Sequence, residues 1–193
     1  RKLADDERLQ HRSFLESMDR INRAIQGSND LERMMSEVLD MVLEVFACDR
    51  AWLLYPCDPD AASWRAVMEH TRPQFPGAFG LRTDLPVDAE VAAIFAAARA
   101  STGVVHFQPH SGLKVPTQVA ERFAIRSQIA MALHPKGDQP YLLGLHQCSY
   151  ARVWTQLEER LFQEIGRRLA EALTSLLMFR NLQESERRLE EAQ

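Results

Sequence analysis

Several features that would assign a chain to a specialised class are scarce or missing in this sequence of 193 residues. The longest uninterrupted apolar run, 91–98, has eight residues, whereas a membrane-spanning helix needs about 20. Lys and Arg together number 23 against 27 for Asp and Glu, so the net charge of −4 lacks the strongly basic character of nucleic-acid-binding domains. Three cysteines do not make the disulfide framework of a small secreted domain, and they favour a reducing, cytoplasmic compartment.

Catalytic signatures are missing as well. The sequence contains no GxSxG, HExxH, P-loop or CxxC motif, so residue patterns alone do not predict an enzyme. What is present is an ordinary globular composition, 46% hydrophobic and 26% charged. The chain begins at Arg1 rather than Met and shows no signal-peptide pattern. We therefore expect a segment of a longer protein.

Both ends of the sequence predict helices. Residues 1–26 lack Gly and Pro, and their apolar residues recur every three or four positions. Gly27 is expected to end this helix, and one of the residues 28–30 is expected to cap the next one. Near the other end, residues 155–158 form a capping box in front of an apolar repeat that covers 157–176.

The C-terminal tail differs from the helix before it. Leu182 and Leu189 are seven positions apart, and nearly every residue between them is charged or polar. This thin apolar seam predicts a parallel coiled coil and hence a homodimer through the terminal helices; the alternative is a frayed, solvated tail. We predict a linker helix over 1–27, a globular domain over 28–178 and a coiled-coil linker over 179–193.

The middle of the chain predicts strands. Short apolar or alternating segments favour five of them, over 50–55, 63–70, 103–107, 127–133 and 141–148. Residues 71–86, rich in Pro and Gly, predict a long loop. Asp88 is expected to cap a helix over 89–100, and a short helix is expected over 117–124. This order predicts an α+β fold, in which the terminal helices cover one face of a mainly antiparallel sheet.

His146 is the strongest candidate for a functional side chain. On a strand, His146 and Cys148 point to the same face, and Gly144 beside them leaves room for a close approach. The alternative is a histidine at the edge of the core, hydrogen-bonded to the backbone. His106 and His110 have the spacing of helical metal ligands, but the proline between them argues against a shared ion, and no metal site is predicted.

Two motifs in the sequence resemble those of GAF domains of bacterial sensor proteins. The first is CDRAWLLY over 48–55. The second is LGLHQCS over 143–149 followed by RVW over 152–154, which is similar to the phrase that leads into the last helix of phytochrome and cyanobacteriochrome GAF domains. The resemblance covers 30–178 and implies a GAF-like fold in which His146 lines the ligand pocket. The tail resembles the linker that precedes a PAS domain, which implies a downstream module.

The sequence departs from the bilin-binding members of this family at the attachment site. Those members carry a Cys-His pair on the helix before the penultimate strand, where this chain has Thr117 and Gln118. No cysteine occurs between Cys57 and Cys148, so a covalent bilin is not expected, while non-covalent tetrapyrrole binding stays open. The Asn-Lys-Phe-Asp-Glu signature of cyclic-nucleotide GAF domains is also absent. The sulfoxide reductases of this fold use clustered cysteines, so that activity would require two of the three thiols to lie close together.

These features together predict a sensory module of a multidomain signalling protein, of the sensor histidine kinase or diguanylate cyclase type. It would bind an unidentified small molecule without a covalent bond and relay its state through dimeric helices. The predicted pocket residues are His146, Trp52, Phe79, His106, Gln118 and Met131, and no catalytic residue is predicted. The alternative is a ligand-free dimerisation and spacer module with a filled core.

Overall fold

The computed structural model describes residues 1–108 and 111–193. Five α-helices and six strands follow one another in the order expected for an α+β domain. The helices are α1 (Lys2–Gln26), α2 (Leu31–Phe46), α3 (Ala89–Ala100), α4 (Thr117–Arg122) and α5 (Gln156–Ala192). The strands are β1 (Arg50–Tyr55), β2 (Ser63–Thr71), β3 (Leu85–Pro86), β4 (Val105–Phe107), β5 (Ser127–Leu133) and β6 (Tyr141–Gln147).

The six strands form one sheet in the order β3-β2-β1-β6-β5-β4, and every pairing is antiparallel. The predicted α+β class and antiparallel sheet are therefore confirmed. The segment 71–86 is not all loop, because a 3-10 turn covers Ala78–Leu81 and β3 pairs with the start of β2. A two-residue strand is too short to show any periodicity in the sequence.

The terminal helices cover one face of the sheet, as predicted. α1, α2 and α5 enclose the larger hydrophobic cluster together with residues of β1, β5 and β6. Met18 and Ile21 are buried, so the second half of α1 belongs to this core. The other face of the sheet is also covered. There α3 and the segment around α4 enclose a second, smaller hydrophobic cluster.

Local capping explains where two of these helices begin. Asp30 caps α2, with its carboxylate accepting a hydrogen bond from the backbone N–H of Glu32 at 3.2 Å. Thr155 and Glu158 form the predicted capping box at the start of α5. Such a cap contributes about 1 kcal/mol to the stability of a helix. Among the described residues, no helix is both long enough and apolar enough to cross a membrane.

Candidate ligand-binding site

A cavity of about 60 Å³ lies between the sheet and the second layer of helices. Its floor comes from β1, β2, β5 and β6, and its walls come from α3, α4 and the 3-10 turn. Most lining residues are apolar, and the polar exceptions are Arg50, Glu69, Gln128 and His146, together with the indoles of Trp52 and Trp64. The cavity therefore combines an apolar volume with a small number of fixed polar groups, as small-molecule sites do.

Three of these polar side chains stand in one row across the sheet. Arg50 of β1, His146 of β6 and Gln128 of β5 are direct cross-strand partners. Arg50 Nη1 lies 2.9 Å from His146 Nδ1, and His146 Nε2 lies 2.9 Å from Gln128 Oε1. A guanidinium only donates, so Nδ1 must accept and Nε2 must carry the proton. The row therefore fixes one neutral tautomer of His146.

The protonation state of His146 agrees with this geometry. Burial, and then the positive charge of Arg50, lower the pKa of His146 well below its usual value. Both ring nitrogens are used by neighbouring side chains, so the ring lines the cavity without a free polar atom. The alternative of a histidine bonded to the backbone does not describe it, because both of its partners are side chains.

Arg50 also holds the loops that close the cavity. Its Nη2 donates to the carbonyl oxygens of Phe75 at 2.8 Å, Pro76 at 3.2 Å and Phe123 at 3.0 Å. Only 1% of this residue is exposed. A buried guanidinium is costly unless its donors are satisfied. The segments around residues 75 and 123 are thus tied to β1 by a single side chain.

Glu69 balances the charge of Arg50 inside the same wall. Burial raises the pKa of the Glu69 carboxyl, while Arg50 and hydrogen bonds from the backbone of residues 77–79 partly oppose that rise. A Cβ on Gly77 would lie 2.2 Å from a Glu69 carboxylate oxygen. Glycine is therefore required at residue 77 for the carboxylate to reach these amides.

Trp52 occupies the space that Gly144 leaves open. The two residues are cross-strand partners, and a Cβ on Gly144 would lie 2.0 Å from the Trp52 ring. The Trp52 ring also lies 5.0 Å from the His146 ring, measured between centroids. The close approach predicted beside Gly144 is thus made by an indole of the protein itself.

Two donors at the cavity have no protein acceptor. Trp52 and Trp64 are 5% and 7% exposed, and the indole Nε1 of each is buried without a hydrogen-bond partner. Buried donors normally find an acceptor, because leaving one unpaired costs about 1–3 kcal/mol. The Nε1 atom of Trp154, which does not line the cavity, is buried and unpaired in the same way, so the unpaired state by itself does not mark a ligand contact.

A second polar network lies next to the cavity, where β1 begins and β6 ends. Asp49 Oδ2 accepts from the backbone N–H groups of Cys148 and Ser149, both at 2.8 Å, and from Gln147 Nε2 at 3.0 Å. Burial of Asp49 opposes ionisation, but the hydrogen bonds from Ser149 and Cys148 outweigh it and the pKa is lowered. Asp49 therefore stabilises the end of β6 as a buried carboxylate.

Arg152 extends this network to the start of α5. Its Nη1 donates to Gln147 Oε1 at 3.0 Å, its guanidinium lies 4.4 Å from the centre of the Trp154 ring, and it pairs with Glu158. The residues of the sequence motif HQCSxxRxW thus pack and form hydrogen bonds at the junction of β6 and α5. Of its members, only His146 lines the cavity.

The structure brings two of the six predicted pocket residues, Trp52 and His146, to the cavity. Phe79 lies on the 3-10 turn, 36% exposed, and Gln118 is exposed on α4. Met131 lies against Gly166 of α5, and His106 lies 3.3 Å from Glu159 of α5. These last two side chains belong to the helical face because a strand alternates its faces at every residue.

The same alternation identifies cavity residues that the sequence interpretation missed. Gln128 faces the cavity with His146, its cross-strand partner, whereas Ile129 is buried in the helical cluster. Polar residues in otherwise apolar strands, such as Arg50, Gln128 and Glu69, are the signal that could have found this site.

The three cysteines are free and buried. Burial raises the pKa of Cys48 and of Cys57 to about 12, and it also raises the pKa of Cys148. Each thiol contacts a different backbone oxygen, that of Arg50, Phe95 or Phe123. A nucleophilic cysteine needs a lowered pKa, whereas the pKa of each of these three thiols is raised.

No other cluster of reactive groups in the described part of the chain forms a complete site. Ser36 Oγ lies 2.9 Å from His70 Nε2, and His70 Nδ1 lies 3.8 Å from Asp40, which resembles a Ser-His-Asp arrangement. Ser36 lies inside α2, so its own N–H is used by the helix and is not available to bind an oxyanion. Across residues 1–108 and 111–193 no group of three metal-ligating side chains occurs, and His110 lies outside them.

Comparison with known proteins gives one family match for this chain. The family model "GAF domain" matches residues 30–173. No curated protein is similar enough in sequence to count as a relative.

Solved structures share the fold at low sequence identity. The phycoerythrobilin-bound GAF domain of a cyanobacterial phytochrome is 17% identical, with a TM-score of 0.69 over 87% of this chain and 98% of that one. The far-red absorbing dark state of JSC1_58120g3 with biliverdin is 16% identical, with a TM-score of 0.68 over 83% and 98%. The PixJ GAF domain of Thermosynechococcus elongatus is 18% identical, with a TM-score of 0.59 over 76% and 86%.

Proposed function

Because this chain belongs to the GAF domain family, we propose that it is the sensory module of a multidomain bacterial signalling protein. In this proposal the module binds a small molecule without a covalent bond, in the cavity between the sheet and α3. The observation that carries the proposal is an apolar cavity whose wall also holds the buried polar side chains Arg50, Glu69, Gln128 and His146.

We propose that the ligand of this cavity is not a bilin of the kind that the neighbouring structures carry. A volume of about 60 Å³ corresponds to roughly four to six water molecules at about 10–15 Å³ each, whereas sites for larger organic ligands measure about 300–1,000 Å³. The three thiols are turned to backbone oxygens of the protein rather than to the cavity. We therefore propose a ligand much smaller than a tetrapyrrole, held only by non-covalent contacts.

The proposed output path runs through the two terminal helices. α1 and α5 pack on the same core, and α5 continues as an exposed helix to Ala192. We propose that they pair with the same helices of a second copy and continue into a downstream PAS, kinase or cyclase domain in the cytoplasm. A ligand changes this output only if it binds one helix arrangement better than the other. Typical couplings of about 1–3 kcal/mol would be sufficient.

A second candidate function is a dimeric spacer with a filled core and no ligand. The small volume of the cavity favours it, since a few ordered waters could occupy that space.

Native mass spectrometry and an absorption spectrum of the protein purified from its own organism test the proposed function. We expect a bound small molecule on the folded protein that is lost when the cavity is filled by Ala66→Phe. A protein that never carries a ligand, with dimers intact, would favour the spacer instead. The matched control is Ala172→Phe on α5, outside the cavity.

A further inference from the structure

The segment 76–81, here named the flap, covers one side of the cavity with almost no apolar side chain. Across residues 72–84, all of which the structure describes, only Gly77 is buried. The flap contributes Ala78 alone to the lining of the cavity, whereas α3 contributes three large apolar side chains, those of Val91, Ile94 and Phe95. Buried apolar side chains are what resists local opening. The hydrophobic clusters therefore hold the flap less firmly than they hold α3.

Two side chains of opposite charge hold the flap by its backbone. The backbone N–H groups of residues 77–79 form hydrogen bonds to the Glu69 carboxylate, and a Cβ at residue 77 would lie 2.2 Å from one of its oxygens. The carbonyl oxygen of Pro76 accepts from Arg50 Nη2 at 3.2 Å. Glu69 and Arg50 both line the cavity, so the flap is held closed from inside the site.

The chain just before the flap is held more firmly than the flap itself. The carbonyl oxygen of Phe75 accepts from Arg50 Nη2 at 2.8 Å and also from Thr71 Oγ1. Arg50 further bonds His146 and the carbonyl oxygen of Phe123. An outward movement of the flap therefore leaves the guanidinium with most of its acceptors. The N–H and C=O groups that the flap exposes would bond to water instead, so opening costs only the net value of a few hydrogen bonds.

We propose that the flap opens to admit small molecules to the cavity, and that Glu69 is the residue that holds it closed. Opening separates the backbone of residues 77–79 from the Glu69 carboxylate, while α3 and the sheet stay in place. This inference rests on the proposed sensory function, because it names the route by which the ligand of that site would enter.

Thiol labelling inside the cavity measures this opening without a ligand. Leu142 lines the cavity and is 1% exposed, so the thiol introduced by Leu142→Cys reacts with methyl methanethiosulfonate only when the cavity opens. Cys48 is fully buried in the cluster under the terminal helices and serves as the internal reference for unfolding of the core. We expect the thiol at residue 142 to be labelled at least tenfold faster than Cys48, as measured by peptide mass spectrometry.

Adding Glu69→Gln to this chain tests what holds the flap closed. Glutamine keeps the size of the side chain but loses the charge that strengthens the bonds to residues 77–79. We expect labelling at residue 142 to become at least tenfold faster, with the rate at Cys48 unchanged.

Glu90→Gln in the same chain is the matched control. The Glu90 carboxylate also accepts from a backbone N–H, that of Thr117 at 2.9 Å, but it does so between α3 and α4, outside the flap. We expect this change to leave labelling at residue 142 as it was.

Hydrogen exchange of the unmodified chain tests the flap even if a variant fails to fold. We expect the amides of residues 77–79 to exchange at least tenfold more slowly than in a free peptide, because Glu69 bonds them. We also expect them to exchange at least tenfold faster than the amides of β1. No protection would show that Glu69 does not hold the flap, and protection equal to that of β1 would show that the flap does not open.

Labelling at residue 142 no faster than at Cys48 would overturn the proposal. An equal acceleration at both thiols in Glu69→Gln would make Glu69 a residue of global stability, and an acceleration in Glu90→Gln alone would place the entrance at α4. Each of these results leaves the sensory function standing, because a ligand found by native mass spectrometry shows binding whatever its route. An opening flap on a protein that never carries a ligand would overturn the sensory function alone.

Discussion

At the scale of single residues, Arg50 and His146 decide how the cavity is built. Arg50 joins the loops around residues 75 and 123 to β1, and it imposes the neutral tautomer on His146. The pair therefore acts on any ligand through the shape and rigidity of the cavity. Neither needs to contact the ligand through a free hydrogen-bonding atom.

The neutral state of His146 makes the stability of the fold depend on pH. The unfolded chain binds a proton near the usual pKa of about 6.5, whereas the folded chain does not because its pKa lies well below that value. The free energy of unfolding should therefore fall as pH drops below about 6.5, by up to about 1.4 kcal/mol per pH unit from this group.

Urea unfolding between pH 7 and pH 5 measures this dependence. His146→Gln is the matched control, since a glutamine can still accept from Arg50 and donate to Gln128 but does not titrate. We expect the variant to show the shallower pH dependence. Parallel curves for the two proteins would contradict the prediction.

At the scale of elements, the pairing of β1 with β6 joins the two sequence motifs, 48–55 and 143–154, that resemble GAF domains. The side chains of Asp49 and Arg50 in the first motif form hydrogen bonds with residues 146–149 of the second motif. Segments almost 100 positions apart in sequence thus form one buried polar unit. Their side chains hold the strand ends and the start of α5 in place.

The same pairing makes Gly144 necessary. In Gly144→Ala the new methyl group would meet the Trp52 ring at 2.0 Å, and forcing an extra carbon into a packed core typically costs about 1–3 kcal/mol. We expect a loss of that size in the free energy of unfolding, measured by urea denaturation. Gly80→Ala is the control, since no atom lies within 4 Å of its added Cβ; we expect less than about 0.5 kcal/mol there. Equal losses would contradict this account.

At the scale of the whole molecule, α5 extends beyond the core of the domain, and it is one of the two helices through which we propose that the output passes. Arg180 of α5 bonds both carboxylate oxygens of Glu32 on α2, at 2.5 and 2.6 Å. Beyond that pair α5 continues with Leu182 and Leu189 exposed, 58% and 65%. A polar helix without tertiary contacts is marginal in water, and this is why we propose that a second copy packs against it.

Analytical ultracentrifugation of the full chain at micromolar concentration tests this pairing. We expect a dimer, and we expect the double variant Leu182→Lys/Leu189→Lys to dissociate at least tenfold more readily, because both charges would enter the apolar seam. Glu184→Gln/Glu191→Gln changes the net charge by the same amount on the opposite side of the helix and should leave the dimer intact. A monomeric full chain would count against the relay through α1 and α5.

The local patterns of the sequence were enough to predict most elements of this fold. Apolar periodicity, the cap at Asp30 and the capping box at 155–158 depend on neighbours within one turn, so α2, α3 and α5 and the longer strands could be placed from sequence. The tertiary structure alone decided which strand residues share the cavity, since this depends on register. Residues an odd number of positions apart on a strand face opposite sides of the sheet, so Gln128 lies at the cavity and Met131 lies against α5. It also decided that Arg50 and His146 bond each other, because a contact between residues 96 positions apart exists only once β1 and β6 pair.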